Sequence, residues 1–268
     1  MSSLWIPARQ RISRAHEISD RLRSELAAYL ATNPTRLEVR RRVPGGSELV
    51  LRVDRQPPAR LAYLLGEYVH QLRSNLDNMV VTLAERGAGR PLSEREERRL
   101  HFPIASDDGG FTELVRTGPL ALIDAPAIES IRAMQPFANL RYLFGDEEHG
   151  GPTWDQPLTV LSQLSNHDKH RRLTVLTQVP DRIAIGMLGS GGPGLNYVGS
   201  HPFSDGDVIA TIEVDGAFEL LGSESTVMVE VPRGPMARLD GLVSKLDLVG
   251  SRAFEHLTGE PFVEVDLN

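Results

Sequence analysis

The chain has 268 residues, 40% of them hydrophobic, with 36 acidic against 29 basic residues and a net charge of -7. It contains no cysteine, which excludes disulfides and thiolate metal sites. It has no run of about 18 apolar residues, so no membrane-spanning helix is expected. Met1 to Arg14 is polar and arginine-bearing and lacks an apolar stretch, so no secretory signal is expected and the expected setting is cytoplasmic.

Charge is unevenly placed. Residues 1–60 carry 12 basic and 6 acidic residues, net +6, and residues 61–268 carry 17 and 30, net -13. The two parts are expected to dock on each other or on a partner subunit. A nucleic-acid binder using its whole surface is not expected.

Residues 8–31 read as a helix, with Ile12, Ala15, Ile18, Leu22, Leu26 and Leu30 on one face and Asn33-Pro34 as its stop. His16 falls beside that stripe and reads as a satisfied core histidine. Arg36 to Val43 and Glu48 to Asp54 alternate around Pro44-Gly45-Gly46, which predicts a β-hairpin. A helix over 59–85 follows Gln56-Pro57-Pro58. Ser93 and Glu96 fit a capping box at the start of a short charged helix. Residues 101–155 are irregular, with short helices near 111–117 and 125–134. Within them Asp146-Glu147-Glu148-His149 reads as a solvated loop, since its spacing fits no metal-ligand frame.

A second amphipathic helix is expected over 157–178. The pattern then turns to β over Arg182 to Leu188, Asp207 to Val214 and Thr226 to Val231. The glycine-rich Gly189 to Gly194 lacks the Gly-Lys-Ser/Thr ending of a phosphate loop and reads as a flexible connection. A last helix is expected over 235–257, and Phe262 to Leu267 as a short closing strand. Helices and strands come in blocks, without βαβ alternation. The expectation is one α+β domain over 1–268, in which about four main helices pack on a mostly antiparallel sheet. The helical and hairpin part covers about 1–178, and the β-rich part with the last helix about 179–268.

Two segments carry the candidate chemistry. At about 100° per residue, Leu61, Leu64, Leu65, Tyr68, Leu72, Leu76, Met79 and Leu83 share one face of the helix over 59–85. His70, Arg73 and Asp77 lie on the flank of that face, and Arg73 and Asp77 can pair at i, i+4. In the helix over 157–178, Leu161, Leu164, Val175 and Leu176 mark the stripe, and Asp168 falls within it. A core-facing acid needs a cation, and Arg73 is the natural partner. The candidate catalytic residues are therefore His70, Arg73, Asp77 and His170. The candidate binding residues are Arg73, Asp168, Lys169, His170 and Arg171, of which Arg73, Lys169, His170 and Arg171 could gather several donors on one anion. Metal ligation by His70, Asp77, His167 and His170 lacks ligand spacing, so neither metal nor cofactor is expected. No Gly-x-Ser-x-Gly elbow marks a hydrolase.

The blocks His70-x-x-Leu-Arg-Ser-x-Leu-Asp77, Phe102-Pro103-Ile104, Gln135-Pro136-Phe137 and Asp168-Lys169-His170-Arg171, in this order, resemble those of an uncharacterised bacterial family common in actinobacteria. The resemblance covers about residues 14–175 and implies a fold, with no activity attached. A more distant resemblance is to HEPN domains, helical modules that include metal-independent ribonucleases. Their mark is an Arg followed a few residues later by a His on one helix. Arg73 takes the Arg position, but positions 78 to 80 hold Asn78, Met79 and Val80. An amide cannot exchange protons as imidazole does.

The function expected is that of a soluble, non-catalytic binding or interaction protein with a buried Arg/Asp/His cluster between two helices. The alternative is an HEPN-like RNA-binding protein or an active or inactive ribonuclease. The expected partner is a protein, a second copy of this chain or an anionic ligand, with nucleic acid only under the alternative and no membrane.

Overall fold

The structure is a computed structural model that describes residues 3–43, 45–138, 156–170, 175–187, 195–197, 204–212, 218–232, 234 and 236–264. For residues 119, 168–170, 175–187, 195–197 and 218–225 the description is of the backbone alone. The helices are α1 (Ile6–Leu30), α2 (Ala59–Ala88), α3 (Glu94–Glu97), α4 (Asp108–Thr117), α5 (Ala125–Ala133), α6 (Pro157–His170) and α7 (Leu239–Thr258). The strands are β1 (Thr35–Arg41), β2 (Ser47–Val53), β3 (Val175–Met187), β4 (Leu195–Tyr197), β5 (Val208–Ile212), β6 (Phe218–Glu230) and β7 (Met236–Arg238). The fold is α+β. Its described strands form two sheets, ordered β1-β2-β5-β4 and β3-β6-β7, and every pairing is antiparallel.

The helical layer follows from its apolar stripes. On α1, Ala8, Ile12, Ala15, Ile18, Leu22 and Leu26 are buried at helical spacing, and Tyr29 closes the row. Its hydroxyl donates to the Arg55 carbonyl at 2.8 Å, tying the end of α1 to the exit of β2. Burial pushes the Tyr29 phenol up to about 12, because a phenolate there would lose its water. On α2, the predicted row Leu61 to Leu83 is buried throughout. Helices α1, α2, α6 and α7 pack on one another, and β6 joins their core through Val227 and Val229. A smaller core, Leu49, Leu51, Ile209, Ala210 and Ile212, lies in the first sheet. A single sheet was expected, and two are seen.

Local chemistry sets several boundaries. Ser93 and Glu96 form the predicted capping box. Asp107 and Asp124 cap α4 and α5 by accepting the backbone N–H of Gly110 at 2.8 Å and of Ala127 at 2.9 Å. α2 and α7 end at Gly89 (φ 64°) and Gly259 (φ 69°), left-handed positions that glycine takes without a Cβ penalty.

Three boundaries differ from the sequence reading. The helix expected over 157–178 ends by His170, and Val175 and Leu176 pair with Val229 and Met228 in a ladder. The stretch Thr174-Val175-Leu176-Thr177 is rich in β-branched residues, and a strand partner outweighs helix continuation. The helix expected from 235 starts at Leu239, because Met236 pairs with Glu230 in β7. Phe262 is in no strand. Its ring instead packs edge-on against Phe254 at 5.8 Å. The readings of Gly189–Gly194, Asp146–His149 and residues 265–267 lie outside the described residues.

Some of the opposite charges of the two parts meet within the chain. Arg9, almost fully buried, pairs with Glu260 and lies over the Phe254 ring at 5.1 Å. Arg23 reaches Asp247 at 2.5 Å, and His16 reaches Glu264 at 2.8 Å. The basic first helix thus meets the acidic C-terminal helix and the segment after it. Among the described residues no helix is long and apolar enough to cross a membrane.

Candidate functional site

The site is built on the middle of α2. There the apolar face carries Leu72, Leu76 and Met79 inward, which leaves Arg73 and Asp77 on the flank where the chain 98–107 crosses. The two pair at 3.2 Å, as their i, i+4 spacing predicts. Their main partner is backbone. Arg73 Nη2 donates to the Phe102 carbonyl at 2.8 Å, and Asp77 Oδ1 accepts the Phe102 N–H at 2.8 Å. One residue thus has both main-chain groups held by one ion pair. The Phe102 ring is fully buried beneath.

The next residues are held from the other side. Gln135, with no exposed surface, accepts the Ala105 N–H at 2.9 Å and donates to the carbonyls of Pro103 and Ile131, each at 3.0 Å. The blocks around Arg73, Phe102 and Gln135 therefore converge on one crossing segment. Proline at 103 offers no N–H, so its carbonyl is the only main-chain group there to satisfy.

Beside this clamp opens a polar pocket of about 300 Å³, lined by Arg73, Asp77, His101, Ile104, Ser162, Ser165 and Asn166. α2 and α6 pack side by side, as expected, and α6 supplies the last three residues. His101 Nδ1 lies 3.9 Å from Asp77 Oδ2, and its side chain is 64% exposed. The Arg73 side chain is 17% exposed. Both of its bonds use Nη2, and among the described residues Nε and Nη1 have no partner. The pocket thus gathers a fixed guanidinium, an imidazole, two hydroxyls, a carboxylate and an amide.

The predicted site residues fare unequally. Arg73 and Asp77 line the pocket. His70 does not: it is exposed, and its Nε2 sits 3.5 Å from Ser74 Oγ, one turn along its own helix. The side chains of Asp168, Lys169 and His170, and the whole of Arg171, lie outside the described residues. Asn78, at the place where a HEPN-like imidazole would stand, donates to the Ser74 carbonyl at 2.5 Å. His167 is half-buried with its Nδ1 unpartnered among the described residues, and it does not line the pocket. Among the described residues no group of three His, Asp or Glu gathers to hold a metal.

Sequence reasoning missed His101, Ser162 and Ser165, and held Asn166 only as the first residue of the polar segment 166–172. A signal existed for the two serines. Positions 162, 165 and 166 are i, i+3 and i+4, a polar stripe beside Leu161 and Leu164. His101 carries no such signal, since its place depends on a chain crossing. The fold and site define an α+β protein with a polar pocket between two helices. No family model, no curated protein and no solved structure matches this chain.

Proposed function

We propose that this chain is a binding protein whose pocket between α2 and α6 takes a small anionic ligand without turning it over. The observation that carries this reading is the state of Arg73. Its Nη2 is fixed by Phe102 and Asp77, while Nε and Nη1 have no described partner and the side chain lines the pocket. A guanidinium held in this way presents a fork that suits a phosphate or carboxylate. Asp77 and Asn166 would accept from hydroxyl or amino groups on the same ligand, which sets it apart from a bare ion.

Calorimetric titration with inorganic phosphate and with adenosine monophosphate tests this. Binding of the nucleotide is expected to exceed that of phosphate, to weaken as salt is raised, and to vanish in Ser162→Leu, which fills the pocket from its wall. Equal binding by the native chain and Ser162→Leu, or none by the native chain, would overturn the reading.

A second reading, a HEPN-like RNA-binding protein or ribonuclease, draws on His101. This residue brings an imidazole into the pocket with Arg73, where Asn78 brings none. Its ribonuclease form requires cleavage of single-stranded RNA with chelator present, lost in both Arg73→Lys and His101→Ala. An absence of both cleavage and single-stranded RNA binding by the native chain rejects it.

A further inference from the structure

A second polar pocket, of about 430 Å³, lies between α1, α7 and the segment that follows α7, and shares no residue with the first. Its geometry centres on His16. His16 Nδ1 is 2.8 Å from Glu264 Oε1, and His16 Nε2 is 3.4 Å from Ser251 Oγ. The two ring nitrogens thus face a carboxylate and a hydroxyl on opposite sides. The His16 ring is held edge-on to Phe262 at 5.4 Å and 83°, and Phe262 donates its N–H to Glu255 at 3.3 Å. The imidazole is therefore set in its plane by an anchored aromatic ring. It is half-buried, contrary to the core placement that its position beside the α1 stripe suggested.

The neighbouring wall is rigid. Asp247 takes bonds from Arg23 at 2.5 Å and from the Tyr68 hydroxyl at 2.7 Å. Tyr68 is fully buried, and burial together with Asp247 pushes its phenol well above the usual range. It therefore stays a neutral donor. Arg23, part-exposed, lines the same pocket.

We infer that Ser251, His16 and Glu264 form a Ser–His–Glu acyl-transfer site for a small uncharged ester. The orders of contact are those the chemistry needs. Glu264 accepts from Nδ1–H, which leaves the Nε2 lone pair toward the Ser251 hydroxyl; that hydroxyl is also 3.4 Å from the Asp247 carbonyl one turn back, so its proton must turn from that carbonyl to Nε2 before attack. Ser251 Oγ attacks the ester carbonyl carbon while Nε2 takes its proton. The bond from carbonyl carbon to alkoxy oxygen then breaks, and His16 returns the proton to the departing alcohol. Water adds to the acyl-Ser251, His16 takes a proton from it, and the acid leaves as that proton goes back to Oγ. Ser251 sits within α7, where neighbouring backbone N–H groups are spent on the helix. Among the described lining residues the cation available to the carbonyl oxygen is Arg23, whose donors already serve Ser19, Asp20 and Asp247, so it offers the developing charge little. Lacking a backbone oxyanion hole, the site should be slow, with an acceleration of about 10²–10⁴ from acid–base assistance. Asp20, Asp247 and Glu264 around the pocket would repel anionic acyl groups.

The test uses the full chain with p-nitrophenyl acetate and a tagged fluorophosphonate, with the modified peptide read by mass spectrometry. The expected result is one adduct, on Ser251, and ester turnover reduced at least tenfold in Ser251→Ala. Glu264→Gln should lower kcat with little change in KM, and Glu264→Asp should restore part of it. Glu264 is 69% exposed, so these variants keep the fold, which circular dichroism checks. Ser130→Ala, on α5 and outside this pocket, should turn over as the native chain does. Labelling of another residue, no labelling, or undiminished turnover in Ser251→Ala would overturn the assignment.

Discussion

Asp77 Oδ1 accepts the backbone N–H of Phe102 at 2.8 Å, across 25 residues of chain. Arg73, one turn earlier, takes the carbonyl of that same residue. An ion pair on one helix thereby fixes the path of a segment that has no ladder of its own. It also sets His101 at the mouth of the polar pocket.

Asp77→Ala should destabilise the fold by about 1–3 kcal/mol, the usual cost of leaving a buried donor unmet. Asp77→Asn keeps an acceptor for Phe102 and loses only the charge on Arg73, so its effect should be smaller. Glu94→Ala, at an exposed i, i+4 pair with Arg98, should change stability by less than about 0.5 kcal/mol. Urea denaturation of the three variants checks this order. Equal losses for Asp77→Ala and Glu94→Ala would remove the clamp from the account.

Gln135 is a sharper case, since one amide satisfies three main-chain groups in a dry place. Gln135→Ala should cost about 3 kcal/mol or more. Gln135→Glu can accept from Ala105 but, when ionised, cannot donate to Pro103 or Ile131. Its stability should therefore recover as pH falls and the carboxyl gains a proton. Thermal melts of Gln135→Glu at two pH values distinguish this from a simple packing loss.

Gly87 tests space against propensity. In an open helix, Gly→Ala stabilises by about 1 kcal/mol. A Cβ at Gly87 would stand 2.1 Å from the Leu122 carbonyl oxygen, which is backbone and cannot swing away. Gly87→Ala should therefore destabilise by about 1–3 kcal/mol. Gly241→Ala on α7 meets nothing within 4 Å and should be neutral or stabilising by up to about 1 kcal/mol. Opposite signs in melting temperature are the expected outcome.

Acid should weaken the fold through its caps. The Asp124 carboxyl is held below its usual range, first by the Ala127 N–H and also by Arg86. Asp107 is lowered likewise, first by the Gly110 N–H. A carboxylate depressed in the folded state stabilises it above the unfolded value, about 3.9 for Asp, and that stability is lost as pH falls through the folded value. Stability should thus be level above about pH 5 and fall below about pH 4. Asp124→Asn keeps a capping oxygen and removes the titration, so the acid slope should flatten. A slope unchanged by Asp124→Asn would assign it to other groups.

The sequence by itself determined the apolar rows of α1, α2 and α7, the β1–β2 hairpin, the Ser93 capping box and the Arg73–Asp77 pair. Each rests on spacing within a few residues, where periodicity and capping chemistry act directly. Tertiary structure decided what meets those faces. A cation flanking an apolar row needs an acceptor, and the sequence offered Asp168 as a candidate. The Asp168 side chain lies outside the described residues. A described partner of Arg73 across the chain is the Phe102 carbonyl, and every residue carries such a group, so no letter of the sequence marks it. The same reason hid His101 from the first pocket and joined His16 to Ser251 and Glu264 in the second. The strand over 175–187 was half concealed because its ladder partners lie 31 to 54 residues further on. Period tells which side of an element is buried, and only the folded chain decides which segment buries it.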